Sequence, residues 1–322
     1  MTLERDLSST AATPEPCLRD LARPVLDRVP SRETTARVLQ HRMRVYGVVQ
    51  VIDIAVLMFA PWAWLKVATA VLFAMYRTRT IWTIIHNRVH QPKLPVTPSR
   101  VFYDFCTGWI AIWWRKHHLA HHANTNTERD PDTTLLVGRD FNRVHDTPRS
   151  PMRRWLGFVG TLAQYPTFFV FFFYRSLERY GRHALPFVAG LILYALTLWW
   201  LLPPWEARLN TLCNFGIGTL YIVGTFAPTH TASFANFDLV GSHEADQVRA
   251  TNNVWPESRW YSWACGGINQ HIEHHLFPHV PSDHLDDLVP IVKRWAEREG
   301  HPYHRFSLGG IWRAHLHFLR TF

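Results

Sequence analysis

The sequence predicts an all-α, polytopic membrane protein with about four transmembrane helices and a helical cap on the cytoplasmic side. Four segments are apolar enough to span a bilayer, at about 45–61, 62–76, 184–202 and 209–227. Aromatics make up 14% of the chain, with 15 Trp and 20 Phe, and Trp and Tyr gather where apolar meets polar surroundings, as at a membrane interface. The mean hydropathy of −0.11 adds a limit. It suits a few spans joined to a large water-facing part rather than a carrier lying mostly in lipid.

Residues 1–40 are polar, with Pro14, Pro16, Pro24 and Pro30 and no apolar core of the signal-peptide kind. They are expected to form a partly disordered cytoplasmic leader ending in a helix near Arg32 to Arg44, ahead of a membrane domain over 41–322. The first span carries Asp53, expensive in lipid unless it is paired or faces a cavity. The second span follows so closely that the two must form a tight hairpin, each near the ~20-residue requirement only with its flanks. Pro203, Pro204 and Trp205 make a turn between the third and fourth spans.

A fifth apolar run, about 155–174, has Arg153 and Arg154 before it and Arg175 after it. Positive charge at both ends suits a helix lying in the interface. Four spans then place the N-terminus and both long polar stretches, 86–145 and 230–322, on one basic side. That side is expected to be the cytoplasm, which in a bacterium means the inner membrane. The net charge of +9, from 34 Lys and Arg against 25 Asp and Glu, fits cytoplasmic loops obeying the positive-inside rule. The arginines form no continuous basic stripe, so nucleic acid is not an expected partner. Cys17, Cys106, Cys213 and Cys265 are too scattered for a disulfide framework or a thiolate metal site.

Of 20 histidines, eight fall in three short windows. His86 and His90 are spaced i, i+4. His118, His121 and His122, and again His271, His274 and His275, are spaced i, i+3, i+4. On a helix each set shares one face, so each cluster is expected to offer its nitrogens to a common centre. A lone histidine, or one i, i+4 pair, is ordinarily a surface or hydrogen-bonded core residue. Two HxxHH motifs and an HxxxH together indicate metal binding, because clustered imidazoles have no structural use and repel one another once charged. Eight imidazoles exceed the need of one tetrahedral zinc and suffice for two ions. Imidazole alone does not choose among iron, copper, nickel and zinc.

The order of these motifs resembles the three-histidine-box superfamily of membrane fatty acid desaturases and hydroxylases. Trp114-Arg115-Lys116-His117-His118-Leu119-Ala120-His121-His122-Ala123-Asn124-Thr125-Asn126 is similar to the second box, with Asp130-Pro131-Asp132 following. Gly266-Gly267-Ile268-Asn269-Gln270-His271-Ile272-Glu273-His274-His275-Leu276-Phe277-Pro278 is close to the third box, and Gln247, Thr251 and Asn253 resemble its approach. The resemblance covers about residues 45–310. His271 stands where front-end desaturases often carry Gln, which points away from that subgroup.

The resemblance implies a non-haem diiron centre held by His86, His90, His118, His121, His122, His271, His274 and His275, with His230, just past the last span, as a further ligand. His117, Asn126, Asp130, Asp132, Asn269 and Glu273 are candidates for the groups behind the ligands. Asp130 and Asp132 have a competing role in a loop turn and helix cap. His145, His183, His243, His279, His284, His301, His304, His315 and His317 are assigned no part in the site. The implied reaction is O2-dependent oxidation of a fatty acyl chain carried on lipid, coenzyme A or acyl carrier protein. Desaturation is the leading expectation, with hydroxylation and acetylenation on the same scaffold as alternatives. No fused haem-binding cytochrome domain is found, so electrons are expected from a separate carrier such as a ferredoxin. Trp113, Trp114, Tyr165, Phe168 and Phe169 are candidate walls of an acyl tunnel or interfacial anchors. A membrane zinc hydrolase would need only about three histidines. A metal transporter would carry its histidines inside the spans.

Overall fold

In the computed structural model of the chain, the described residues are 17–91, 98–107, 111–132, 150–164, 172, 174, 177–178 and 180–321. They are mostly helical. Of the polar N-terminal stretch, α1 (Leu18–Leu26) is a short helix whose Leu18, Ala22 and Val25 are buried. α2 (Arg32–Phe59) starts where the Ser31 hydroxyl accepts the Thr34 N–H, and it ends at Ala60, just before Pro61, which has no N–H to continue the ladder. α3 (Ala63–Thr80) returns alongside it. Without a break in the chain α3 passes into a π-helical turn, Ile81–His86, and then α4 (Asn87–His90), so the first histidine pair rides on the end of a long helical run.

α5 (Pro98–Thr107) and α6 (Ala111–Ala123) follow, the latter carrying the second histidine set. The C-terminal carbonyls of α5 are tied into the helix bundle. Tyr46 Oη and Gln50 Nε2 donate to Cys106 O, both at 3.1 Å, and Arg77 Nη2 donates to Thr107 O at 2.6 Å. α7 (Pro151–Gln164) covers the described part of the expected interfacial run and exposes Met152, Trp155 and Leu156. Of the rest of that run only Phe172, buried, and Tyr174, exposed, are described, and Tyr165, Phe168 and Phe169 lie outside the described residues.

α8 (Leu185–Leu201) and α9 (Pro204–His230) form the second hairpin, with Pro203 and Pro204 at the turn. Pro228 within α9 cannot donate to the carbonyl four residues back. That carbonyl, of Gly224, instead accepts the Trp312 indole N–H at 3.2 Å. Asp53 is buried; its Oδ2 accepts from Asn210 Nδ2 at 3.3 Å, and its Oδ1 has no hydrogen-bond partner. Among the described residues only the run Gly181–Leu201 is long and apolar enough to cross a membrane by itself.

α10 (His243–Ala250), α11 (Arg259–Cys265), α12 (His271–Leu276), α13 (Val289–Arg298) and α14 (Leu308–Thr321) build the remainder. β1 (Asn253–Val254) pairs in parallel with β2 (Arg305–Phe306). One apolar cluster joins the inner faces of the long helices, and another joins α1, α12 and α13. Two glycines set how closely these parts meet. Gly266 and Gly267 have φ of +65° and +82°, and a Cβ on either would stand 2.7 Å from Thr83 Cγ2 or from Ser282 Cβ and O. Only glycine lets the approach to α12 lie this close to the π turn.

Candidate metal centre

Nine histidine rings converge where α4, α6 and α12 meet the C-terminal end of α9, and all nine are buried. They form two sets rather than one per motif. The first comprises His86, His90, His118, His122 and His274, with one ring nitrogen from each within 4.8 Å of the others. His118 Nε2 stands 2.9 Å from His86 Nε2, 3.0 Å from His90 Nε2 and 3.1 Å from His122 Nε2. His274 Nε2 is 3.1 Å from His122 Nε2. A neutral imidazole has one N–H, so one nitrogen cannot hydrogen-bond properly to three others. The arrangement fits a shared cation: nitrogens about 2.0–2.1 Å from one ion and about 90° apart stand about 3 Å from each other.

The second set comprises His121, His230 and His275, again within 4.8 Å, with His271 Nε2 2.7 Å from His230 Nε2. Here the outward nitrogens fix the tautomers. His121 Nδ1 donates to Asp130 Oδ1 at 2.8 Å, His275 Nδ1 to Gln247 Oε1 at 2.8 Å, and His230 Nδ1 to Ala250 O at 3.2 Å. Each Nε2 is thereby left as an acceptor. His121 Nε2 and His275 Nε2 are buried with no hydrogen-bond partner, as suits nitrogens that serve an ion.

Each box was expected to offer its nitrogens to a common centre; the first box does, but the second and third each divide between the two sets. His118 and His122 lie on nearly the same side of α6, whereas His121 lies about 100° from His122 round the helix and joins the other set. α12 divides likewise, His274 from His271 and His275. Electrostatics favour the neutral, ligating form. Burial, and then the neighbouring rings, hold His86, His118, His122, His271, His274 and His275 well below the usual imidazole range. His90 is brought to about 3 by burial and then by Arg115. His121 goes the other way: burial opposes its charge, but Asp130 and Asp132 together outweigh that and raise it.

Behind the rings, Asp130 also accepts the Asn126 and Asp132 backbone N–H groups, both at 2.8 Å, so it serves the loop and the histidine at once. His117 lies outside both sets and meets Asp132 Oδ1 at 2.6 Å. Asn126 Nδ2 donates to the carbonyls of His230 and Asn236 at 2.9 Å, fastening the end of α9. Glu273 and Asn269 do not stand behind a ring. Glu273 is about 200° round the helix from His271, where it accepts from Asn253 Nδ2 at 2.7 Å and Tyr303 Oη at 2.6 Å. Asn269 Nδ2 donates to Ser262 Oγ at 2.9 Å. Both secure the backbone that carries the third box.

Gln247, read from sequence only as a family mark, takes a place beside the site. Besides accepting from His275 it donates from Nε2 to His122 O at 3.2 Å. Trp114 packs against His118 and His86, with ring centroids 5.0 and 5.7 Å away. His315 is buried and bonded to Thr231, and His317 is exposed. His145 lies outside the described residues.

The fold and site thus define a helical protein whose buried imidazoles form two groups, each able to hold a metal ion. The chain belongs to the fatty acid desaturase family, whose profile matches residues 62–307. It is similar to the Delta(5) fatty acid desaturase fat-4 of Caenorhabditis elegans, 28% identical over 62% of this chain and 50% of that protein. The Delta(6)-fatty-acid desaturase fat-3 of the same organism is 26% identical over 74% and 60%. Delta(8)-fatty-acid desaturase 2 of Arabidopsis thaliana is 23% identical over 80% and 63%. The chain spans about half to three fifths of the length of these relatives. No solved structure matches the chain.

Proposed function

We propose that this chain is an O2-dependent membrane desaturase that inserts a C=C bond into a fatty acyl chain at a non-haem diiron centre. The observation that carries the proposal is the division of nine buried imidazoles into two groups inside a desaturase-family chain. His86, His90, His118, His122 and His274 would hold one ion, and His121, His230, His271 and His275 would hold the other. Five imidazoles around the first centre exceed a tetrahedral zinc site, and iron suits an all-imidazole set.

No side chain deprotonates an unactivated C–H bond near neutral pH, so O2 activation and hydrogen removal are the chemistry that irons held by these residues would supply. The protein's own contribution is placement. Asp130 and Gln247 orient His121 and His275, burial disfavours protonation of the other ligating rings, and the packed rings of Trp82, Trp114 and Phe226 keep bulk water from this side. Electrons come from a separate carrier such as a ferredoxin. The acyl group arrives on lipid, coenzyme A or acyl carrier protein.

Four helices span the bilayer in this reading, the apolar part of α2, then α3, α8 and α9, with the histidines on the cytoplasmic side. Val48, Val51, Leu72, Leu196, Leu212 and Leu220 face outward from them, where lipid would cover them. At the turns remote from the histidines, Trp62, Trp64, Trp200 and Trp205 are exposed, the pattern of an interfacial aromatic belt. Nearby Lys66 and Glu206 form an ion pair.

The test is product analysis in a bacterium lacking an aerobic desaturase, with iron counted in the purified protein. The expected result is a fatty acid lighter by two hydrogens and two irons per chain. Both are lost in His121→Ala and kept in the exposed-site control His317→Ala. A product heavier by one oxygen would make the enzyme a hydroxylase, and full activity in His121→Ala would overturn the diiron reading.

A further inference from the structure

We propose that α11, the short helix leading into the third histidine box, is seated in the lipid headgroup layer through Trp260 and Trp263, fixing the depth of that box against the membrane. The inference rests on the spanning reading above and adds a lipid contact that the four spans do not require.

Trp260 and Trp263 are 70% and 62% exposed. Spaced i, i+3, they share one face of α11, although the same helix buries Tyr261 and Cys265 on its other side. Two contacts calibrate where this face lies along the membrane normal. Arg79 Nε donates to Trp263 O at 2.7 Å, and its guanidinium sits 4.8 Å from the Trp263 ring centroid. From Trp62, in the remote aromatic belt, to Arg79 is about 25 Å of helix at 1.5 Å per residue. That nearly traverses a hydrocarbon core of about 30 Å, so Arg79 marks the opposite interface.

The second contact is deeper. Tyr221 Oη donates to Ala264 O. Tyr221 lies about 9 Å along α9 before the end of its apolar stretch at 227. Helical side chains lean toward the helix N-terminus, which for α9 is the far side of the bilayer, so the contact is no shallower than the Tyr221 backbone. The C-terminal end of α11 is therefore held between a headgroup-level arginine and a tyrosine inside the span. An exposed tryptophan pair at that depth meets lipid, within the about 5–10 Å that interfacial helices penetrate. The Arg79 charge over Trp263 suits the same layer, where indole rings and basic groups face phosphates. The chain then passes through Gly266 and Gly267, pressed against Thr83 and Ser282, directly to His271.

The test uses the full chain in lipid nanodiscs of phosphatidylcholine and phosphatidylglycerol. In a Cys17→Ser background, since Cys17 is the exposed cysteine, Trp260→Cys and Trp263→Cys are each labelled with a polarity-sensitive thiol dye. The unsubstituted background serves as the labelling blank. Leu220→Cys, on the exposed face of α9, is the lipid reference, and Glu299→Cys, exposed beyond α13, is the water reference. Quenching by a headgroup-proximal nitroxide lipid is compared with quenching by aqueous iodide. The nitroxide lipid is expected to quench both tryptophan-site labels at least about threefold more than iodide does. Iodide dominance at both sites, with Leu220→Cys still quenched by lipid, would overturn the proposal and leave the spans intact. Iodide dominance at Leu220→Cys itself would overturn the spanning reading and the proposal with it.

Discussion

The Asp130 carboxylate braces His121 from behind: Oδ1 accepts the ring Nδ1–H at 2.8 Å while Oδ2 accepts the Asn126 backbone N–H at 2.8 Å. The same group that aims the imidazole also closes the loop after α6, so the ring's direction and the loop's shape are one constraint. Groups behind metal ligands typically hold about 10–100-fold in metal affinity. Asp130→Ala is expected to lose iron to a competing chelator at a concentration lower by about that factor. Asp130→Asn, which keeps an acceptor oxygen, should lose less. Equal iron retention in Asp130→Ala and the parent protein would refute the role.

Arg88 lies between His86 and His90 in sequence, and its Nη1 meets Asp104 Oδ1 at 2.8 Å with both side chains buried. Removing one partner of such a pair leaves an uncompensated charge, at a cost of about 3–5 kcal/mol. Asp104→Ala should lower the midpoint of thermal unfolding sharply, and Asp104→Asn should recover part of the loss. A midpoint unchanged in Asp104→Ala would show that the pair is not buried as described.

Gly267 has φ of +82° and no room for a methyl group against Ser282 Cβ and O. Gly267→Ala combines backbone strain, about 1–3 kcal/mol, with a clash against main chain that has little freedom to yield. Reduced thermal stability and reduced iron content are expected together, since the loop bears directly on α12. Wild-type values for both would mean the loop relaxes without moving the box.

Acidification should destabilise the metal-free protein. Burial and neighbouring rings leave His86, His118, His122, His271, His274 and His275 with folded-state affinities for protons well below the ordinary 6.5, and burial and Arg115 take His90 to about 3. The unfolded chain therefore binds more protons below 6.5, and stability rises with pH across that window. It is lost as pH falls through 6.5 toward the folded values. His121, raised despite its burial by Asp130 and Asp132, has the opposite sign and is outnumbered. Melting of metal-stripped protein between about pH 8 and about pH 5 should show a falling midpoint, and a flat profile would contradict it.

The histidine spacings made the boxes legible from sequence, because i, i+3 and i, i+4 positions share a helix face whatever the tertiary fold. The helical hairpins were legible too, through the closeness of the first two apolar runs and the Pro203-Pro204 turn. The division of His121 from His118 and His122 was not, since it depends on what α6 meets on each flank. Gln247 was equally hidden. Its partners His275 and His122 are 28 and 125 residues away, and no local pattern marks such a contact. Glu273 misled for a simpler reason: nearness in sequence to two ligands put it on the far side of a six-residue helix.

The π turn at Ile81–His86 makes the winding of the helix, as well as chemistry, a condition of the site. A π turn accommodates one residue more than an α turn would, and here it links α3 to α4 and carries His86 at its end. If the same residues wound as a plain α-helix, the extra residue would no longer be absorbed and His86 and His90 would swing by about 100° relative to α3. All nine imidazoles would still be encoded, yet the first pair would face away from His118. A change that unwinds the π turn to plain α-helix is therefore expected to cost the site its first histidine pair, whereas loss of the one absorbed residue should leave that pair in register.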